Sequence, residues 1–365
     1  MRLSQAELEI SRSATIHNFK YFKSLLKPDT KVLVLVKSNS YGHGGVEFTR
    51  LMLDAGADYL GIATLQEGVK LRRAGISAPI LALSTGCDCY SDIIQYDLEP
   101  GIPSTGYLNK LKVILKAMGI KKYPIHIKLD TGMHRLGFEK EEIPELKKAL
   151  YGCEEVEVKS IYSHLAAADD PQWDDFTRDQ INLFTEMADD IASGLGYRPM
   201  RHILNSAGTE RFTGYQMDMV RIGVGMYGIS AVDSSRLKPV ATLKCPILQI
   251  KQVSEGTIGY GRHGHLAHIP SKIATIRIGY GDGIDRRLGY GSASFMVNGH
   301  AAPTIGSICM DMCMLDITGI DAQVGDMVTV FGDNPTVQSL ADKLGTIPYE
   351  IFTGIDRRLK RVIVK

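Results

Sequence analysis

No apolar stretch in this chain approaches the roughly 20 residues that a membrane span needs. The first ten residues, Met-Arg-Leu-Ser-Gln-Ala-Glu-Leu-Glu-Ile, lack the apolar core of a secretory signal, so cytoplasm is the expected compartment. Charge of one sign is missing too: 42 Lys+Arg stand against 41 Asp+Glu, a formal net charge of +1. That balance points to neither nucleic acid nor a membrane surface as a partner. Cysteine is sparse, with six spread over positions 87, 89, 153, 245, 309 and 313, too few for a disulfide scaffold in 365 residues. Cys87-x-Cys89 and Cys309-x₃-Cys313 lack the C-x₂-C spacing of a zinc site, and His263, His265 and His268 sit in a Gly-containing stretch that reads as a solvated loop. No metal is expected.

What the chain does have is a soluble balance of 44% hydrophobic and 23% charged residues and a length beyond the usual single domain. Short apolar runs recur through the first 230 residues: Val32–Val36, Tyr59–Ala63, Ile80–Leu83, the weak Leu98–Ile102, Ile125–Leu129, Val158–Ser163, His202–Asn205 and Met219–Tyr227. Each is followed by a segment with helical spacing, such as Gln66–Ala74, Thr105–Met118 and Asp174–Ala192. Continuous Val/Ile/Leu, rather than alternation, marks strands buried on both faces. Eight strand–helix units close a (β/α)₈ barrel of the TIM type, whose chemistry lies at the C-terminal ends of its strands. Beyond about residue 235, helical spacing fades and Gly-punctuated strand-like runs take over: Leu243–Val253, Ile273–Ile278, Ala293–Val297, Met314–Ile317 and Met327–Phe331, with one helix-like stretch at Val337–Leu344. The expected organisation is therefore a barrel over residues 1–235 and a mainly β domain over 236–365. The first ten or so residues are expected to pair with the β domain.

The residues just past each strand would face one pocket. Strand one runs into Lys37-Ser38-Asn39-Ser40-Tyr41-Gly42-His43-Gly44, where a lysine after an apolar strand is either a desolvated nucleophilic amine or a side chain that snorkels to the surface. Strand five leads to Arg135, a planar fork suited to a carboxylate. Strand six ends at His164, strand seven at Asn205-Ser206, and strand eight carries Arg221-Ile222-Gly223-Val224. Ser206 with the amides around Gly223 and Val224 would cradle a phosphate, a recurrent feature after strands seven and eight of such barrels. A lysine, a carboxylate clamp and a phosphate site around one mouth are the inventory of a pyridoxal-5′-phosphate (PLP) enzyme.

At these residues the sequence resembles the bacterial alanine racemases, fold-type III PLP enzymes, over nearly its full length. Val36–Gly44 looks like that family's cofactor-lysine signature, with serine at 38 and 40 where alanine is common. Lys128–Phe138, His202–Gly208, Arg221–Gly228, Gly259–Arg262, Ile278–Gly283 and Ile308–Asp311 match in order. The wording resembles most the Bacteroidetes-type racemases, some of which are fused behind a cell-wall ligase. The resemblance implies racemisation of L- and D-alanine for peptidoglycan by a homodimer with shared sites. It implies that Lys37 carries the cofactor and is one base, with Tyr260 from the other subunit as the second. It implies that Arg221 donates to the pyridine nitrogen, that Tyr41, Ser206, Gly223 and Val224 hold the phosphate, and that His164 and Asn205 line the cofactor, with His164 hydrogen-bonding Tyr260. Arg135 and the Met310 backbone would bind the substrate carboxylate, Lys128 (carbamylated in several relatives) would steady Arg135, and Tyr280 would narrow the entry. Arg357 departs from the pattern, standing where many relatives place a tyrosine. It could bind phosphate or admit a larger side chain, as in serine racemases. A fold-type III decarboxylase would pair the pyridine nitrogen with an acid rather than Arg221. A non-catalytic PLP-binding barrel would lack the β domain that carries Tyr260.

Overall fold

The computed structural model describes residues 5–365, which divide into two compact units. One comprises Ile16–Ser40 and Gly45–Leu237; the other comprises Lys238–Lys365, the described residues up to Thr15, and the four residues Tyr41–Gly44.

The larger unit is a closed parallel barrel. Its strands are β2 (Lys31–Leu35), β3 (Tyr59–Ile62), β4 (Ile80–Ala82), β5 (Glu99–Ile102), β6 (Tyr123–Lys128), β7 (Val156–Tyr162), β8 (Met200–His202) and β9 (Met219–Ile222), numbered after an N-terminal strand β1 (Glu7–Ser11). They are paired in sequence order, β9 pairs back to β2, and the seam between β8 and β9 is closed by backbone bonds from Arg221 N–H to the Leu204 carbonyl (3.0 Å) and from Asp218 N–H to that of Arg201 (3.1 Å). Their Val, Ile and Leu side chains are almost wholly buried, as strands covered on both faces require.

Two of the expected strands are shorter than their apolar runs. The run at Met219–Tyr227 stops as a strand at Ile222, because Gly223 leaves the extended region and Val224–Tyr227 coil into a buried 3₁₀ turn ended by the left-handed Gly228. Burial kept the apolar pattern going after the strand had ended. Likewise β8 ends at His202, and Asn205 serves instead as the N-cap of the Ser206–Arg211 helix, its Oδ1 accepting from Gly208 N–H at 2.8 Å. The last strand is also not followed by an α-helix of its own. Phe22, from a helix that precedes β2, packs so closely on Gly225 that a Cβ there would lie 2.3 Å from its ring.

The smaller unit is mainly antiparallel. Its strands are β10 (Ala241–Val253), β11 (Thr257–Ile258), β12 (Gly264–His265), β13 (Ser271–Ile276), β14 (Ser294–Val297), β15 (His300–Ile305), β16 (Cys313–Asp316), β17 (Met327–Phe331) and β18 (Lys360–Val364). The long β10 pairs with β17 through its first half and with β13 through its second, switching partners at a bulge beside Pro246, whose ring cannot donate to a ladder. With β16, β15 and β14 this closes a ring of strands. β1 adds to β10 on one side and takes β18 in parallel on the other. The stretch read as a solvated histidine loop contains a two-residue hairpin, β11 with β12, that includes His265.

Gly283 shows how tightly this unit turns on itself. It has φ +99°, and a Cβ would sit 2.2 Å from the Gly354 carbonyl oxygen; Gly299, at φ +84°, has open space instead. Gly299→Ala should therefore cost only the left-handed backbone penalty, about 1 kcal/mol. Gly283→Ala should cost clearly more, read as a larger drop in urea midpoint; equal losses would show that the close approach does not matter.

Candidate active site

Lys37 is part-buried at the end of β2, whose five residues are Lys31–Leu35 with Val36 following. The backbone after it does something unusual. Ser38, Asn39, Ser40 and Tyr41 all have positive φ (52°, 57°, 55° and 50°), a turn of left-handed helix made without glycine. Each such residue costs roughly 1–2 kcal/mol, so the turn persists only because its surroundings hold it. Ser40 N–H donates to the Val36 carbonyl (2.9 Å), Ser38 N–H to Glu67 Oε1 (2.5 Å), and Gly45 N–H to Asn39 Oδ1 (2.9 Å). Glu67, which no motif flagged, also takes the N–H groups of Ala63 and Thr64 and so ties this turn to the end of β3. Burial lowers the Lys37 amine below its ordinary value, Arg135 lowers it further, and Glu67 acts the other way.

Around Lys37 the barrel gathers Lys128, Arg135, His164 and Arg221, close enough that Lys37, Arg135 and Arg221 lower Lys128, and these three with Lys128 lower His164. Lys128, at the end of β6, is buried; burial, with Arg135 and Arg221, brings its amine down to about 8, against the pull of Asp130. Arg135 is exposed and lies on a loop organised by Asp130, whose Oδ1 accepts the N–H groups of Gly132, Met133 and His134 at 2.9–3.1 Å. Burial pushes the Asp130 carboxyl up, but those bonds and the nearby His134 outweigh it and hold the group below its ordinary value. His164, part-buried, is held far below the usual histidine value by burial and by Arg221.

Arg221 is 2% exposed with no carboxylate in contact. Nη1 donates to His202 Nδ1 (2.8 Å) and the His202 carbonyl (3.0 Å); Nη2 faces the Ser163 and Ile203 carbonyls (2.5 and 3.0 Å) and His164 Nδ1 (3.2 Å). Burial pulls the guanidinium down to about 10, so it stays charged near neutral pH. Four terminal N–H groups are thus committed to the protein, which leaves Nε–H for a ligand. Ser206 Oγ accepts from the amides of Gly223 (3.0 Å) and Gly225 (3.3 Å), so serine and both glycines are tied into one buried turn after β8 and β9. Val224 is buried beside them, and Asn205 caps the same turn.

The remaining expected residues lie in the smaller unit. Tyr41 is buried there, its ring 6.0 Å from that of Tyr349, and burial raises its hydroxyl above the ordinary value. Tyr260 is 75% exposed, between residues with positive φ at Gly259 and Gly261. Tyr280 and Met310 are brought together by backbone bonds: Tyr280 N–H reaches the Cys309 carbonyl (2.9 Å) and Gly281 N–H that of Met310 (2.8 Å). Arg357 is exposed, whereas its neighbour Arg358 is clamped by Asp282 (2.7 Å) and Asp311 (2.9 Å). Among the described residues no group of three or more His, Cys, Asp or Glu could hold a metal, and no helix is long and apolar enough to cross a membrane.

A parallel barrel with an amine, two guanidinium groups and a serine-capped turn at its strand ends, followed by a mainly antiparallel β unit, has the architecture of a barrel enzyme with a polar mouth. The alanine racemase N-terminal domain family matches residues 10–231 and the C-terminal domain family residues 240–363. The chain is 37% identical to an alanine racemase of Synechocystis, covering 99% of each, and 37% identical to one of Methanococcus maripaludis, covering 97% of each. A solved alanine racemase of Clostridium difficile superposes with a TM-score of 0.91 at 32% identity, covering 99% of this chain and 98% of that one. The chain belongs to the alanine racemase family.

The opposed effects of Arg135 and Glu67 on Lys37 make a direct test. Glu67→Gln should lower the amine's pKa further, and Arg135→Gln should raise it. At fixed mildly alkaline pH, acylation of cofactor-free protein mapped by mass spectrometry should then be faster at Lys37 in the first variant and slower in the second. Identical rates would remove the electrostatic account.

Proposed function

We propose that this chain is a PLP-dependent isomerase that interconverts L- and D-alanine, acting in the cytoplasm as a homodimer and supplying D-alanine for the cell wall. The observation that carries the proposal is Lys37, an amine lowered by burial and by Arg135, in a chain matched by the alanine racemase family across both units. The residues fit PLP: a desolvated amine for its aldehyde, a buried serine–glycine turn for its phosphate, and the Nε–H of a buried arginine for its ring nitrogen. Once bound, PLP supplies the electron sink that acidifies the α-proton of an amino acid.

The chain's own residues then have separable tasks. Ser206, Gly223, Val224 and Tyr41 hold the phosphate, with Asn205 and His164 lining the cofactor. Arg135 and the Met310 amide hold the substrate carboxylate, and Lys128 steadies Arg135. A Lys128 amine near 8 is neutral often enough to take up carbon dioxide, which would turn a repelling cation into an anion beside Arg135. Lys37 exchanges a proton with one face of Cα and the partner subunit's Tyr260 with the other, so inversion needs no turning of the substrate. Tyr280 narrows the entry, and Arg357 acts on the range of side chains admitted.

Arg221 makes a further demand. A guanidinium keeps its proton, so Arg221 would hold the ring nitrogen of a bound cofactor unprotonated and make it a weaker electron sink. With a weaker sink, return of the proton to Cα would be favoured over side reactions. Arg221→Glu should therefore increase amino-group transfer, measured as pyruvate formed over long incubations with alanine; a clean variant would count against this role. Purified protein should lose a visible absorption band on borohydride treatment and should abolish the optical rotation of L-alanine faster than that of L-serine. Unchanged rotation with both would overturn the proposed activity.

A further inference from the structure

Arg221 is buried with no carboxylate in contact, yet its Nη1 begins a chain of side-chain hydrogen bonds that ends on one. From His202 Nδ1 (2.8 Å) the chain continues through His202 Nε2 to Ser160 Oγ (2.7 Å), from Ser160 Oγ to His126 Nδ1 (2.6 Å), and from His126 Nε2 to Glu99 Oε2 (2.7 Å). The four residues come from β8, β7, β6 and β5, neighbouring strands of one sheet. Ser160, His126 and His202 are fully buried, and the Glu99 side chain is only 13% exposed.

Donor and acceptor rules give this chain a direction. Arginine can only donate, so His202 Nδ1 accepts and its proton sits on Nε2. Nε2–H then donates to Ser160 Oγ. The Ser160 proton needs an acceptor of its own in a buried site, and the partner within reach is His126 Nδ1. His126 must therefore carry its proton on Nε2, which donates to Glu99. Glu99 also receives a hydrogen bond from Tyr59, and a carboxylate, which only accepts, matches both donors. The plane of the His202 ring is further held by the ring of Tyr162, stacked on it at 5.1 Å and 3°, with the Arg221 guanidinium carbon 5.5 Å from the same ring.

We propose that His202, Ser160, His126 and Glu99 are a directional relay of positioning residues that aims the Arg221 guanidinium, with the Glu99 carboxylate as its remote counter-charge. The inference deepens the proposed function and rests on it only for the consequence in turnover. Each link fixes the proton of the next, so Arg221 has one permitted orientation although no acid touches it. Buried polar chains of this kind polarise cooperatively, and a change at one end reaches the other.

The test has two arms. In full-length protein with its cofactor and ¹⁵N-labelled histidine, NMR should show His202 and His126 neutral with the proton on Nε2. Ser160→Ala removes the donor at His126 Nδ1 and the acceptor at His202 Nε2, so the ring ¹⁵N signals of both should shift while His164 keeps its signals; unmoved signals at either histidine would overturn the relay. A wild-type His126 that is already an imidazolium, or protonated on Nδ1, overturns the relay whether or not the protein racemises anything. In the second arm Glu99→Gln preserves shape and removes charge. It should lower kcat for alanine several-fold with KM little changed, and increase amino-group transfer in parallel. Wild-type kcat and wild-type side reaction in that variant would overturn the counter-charge role even if the tautomers are as stated.

Discussion

Arg221 brings a full positive charge into the interior of a parallel barrel, and no acid lies against it to cancel that charge. Desolvation alone would make such a group expensive. The structure answers with three backbone carbonyls and two neutral histidines, which together take the terminal N–H groups. Both histidines are held neutral by burial and by the arginine itself, so they can act as acceptors. The same positive field reaches Lys128 and, with Arg135, reinforces the burial that lowers its amine. Much of the mouth's chemistry thus follows from one guanidinium that has been buried and left charged.

Lys37 meets the complementary constraint. Its amine is useful only if part-desolvated and firmly aimed, and the left-handed turn at Ser38–Tyr41 does the aiming at a cost the neighbouring hydrogen bonds must offset. Glu67 and Asn39 supply those bonds. The turn also marks where four residues, Tyr41–Gly44, leave the larger unit's packing for the smaller one's. A catalytic lysine and a phosphate-binding tyrosine, as proposed, are four residues apart in sequence and belong to different compact units. In the proposed mechanism the two proton-exchanging groups are likewise divided, Lys37 in one unit and Tyr260, 75% exposed, in the other. An exposed tyrosine suits a base that completes its environment only on assembly.

Much of this was legible in the residues themselves. The runs at Val32–Val36 and Ile125–Leu129 declare buried parallel strands through composition, because strands covered on both faces have no polar side to show. The cations and glycines after those runs declare the barrel mouth, because strand ends converge there. Local rules go no further than that. At Met219–Tyr227 the apolar run continues through a 3₁₀ turn, since burial and strand geometry leave the same mark on composition. The strand at Glu7–Ser11 and the edge strand at Lys360–Val364, paired with each other over five residues, escape period-based reading because their partners lie hundreds of residues away.

The sequence by itself determined the barrel, the strand-rich second unit, and the identities of the groups at the mouth, all of which depend on side-chain type and spacing along one strand. Only the tertiary structure decided the relations among them. It is the closed sheet that puts Glu99, His126, Ser160 and His202 in line from four strands, and Asp130 and Glu67 are mere acids until folding shows which amides they hold. It likewise turned Lys37 from an even choice between surface and site into a part-buried, lowered amine. The physical reason is the same in each case: hydrogen bonds and desolvation depend on distance in space, and sequence spacing fixes distance only within a single element.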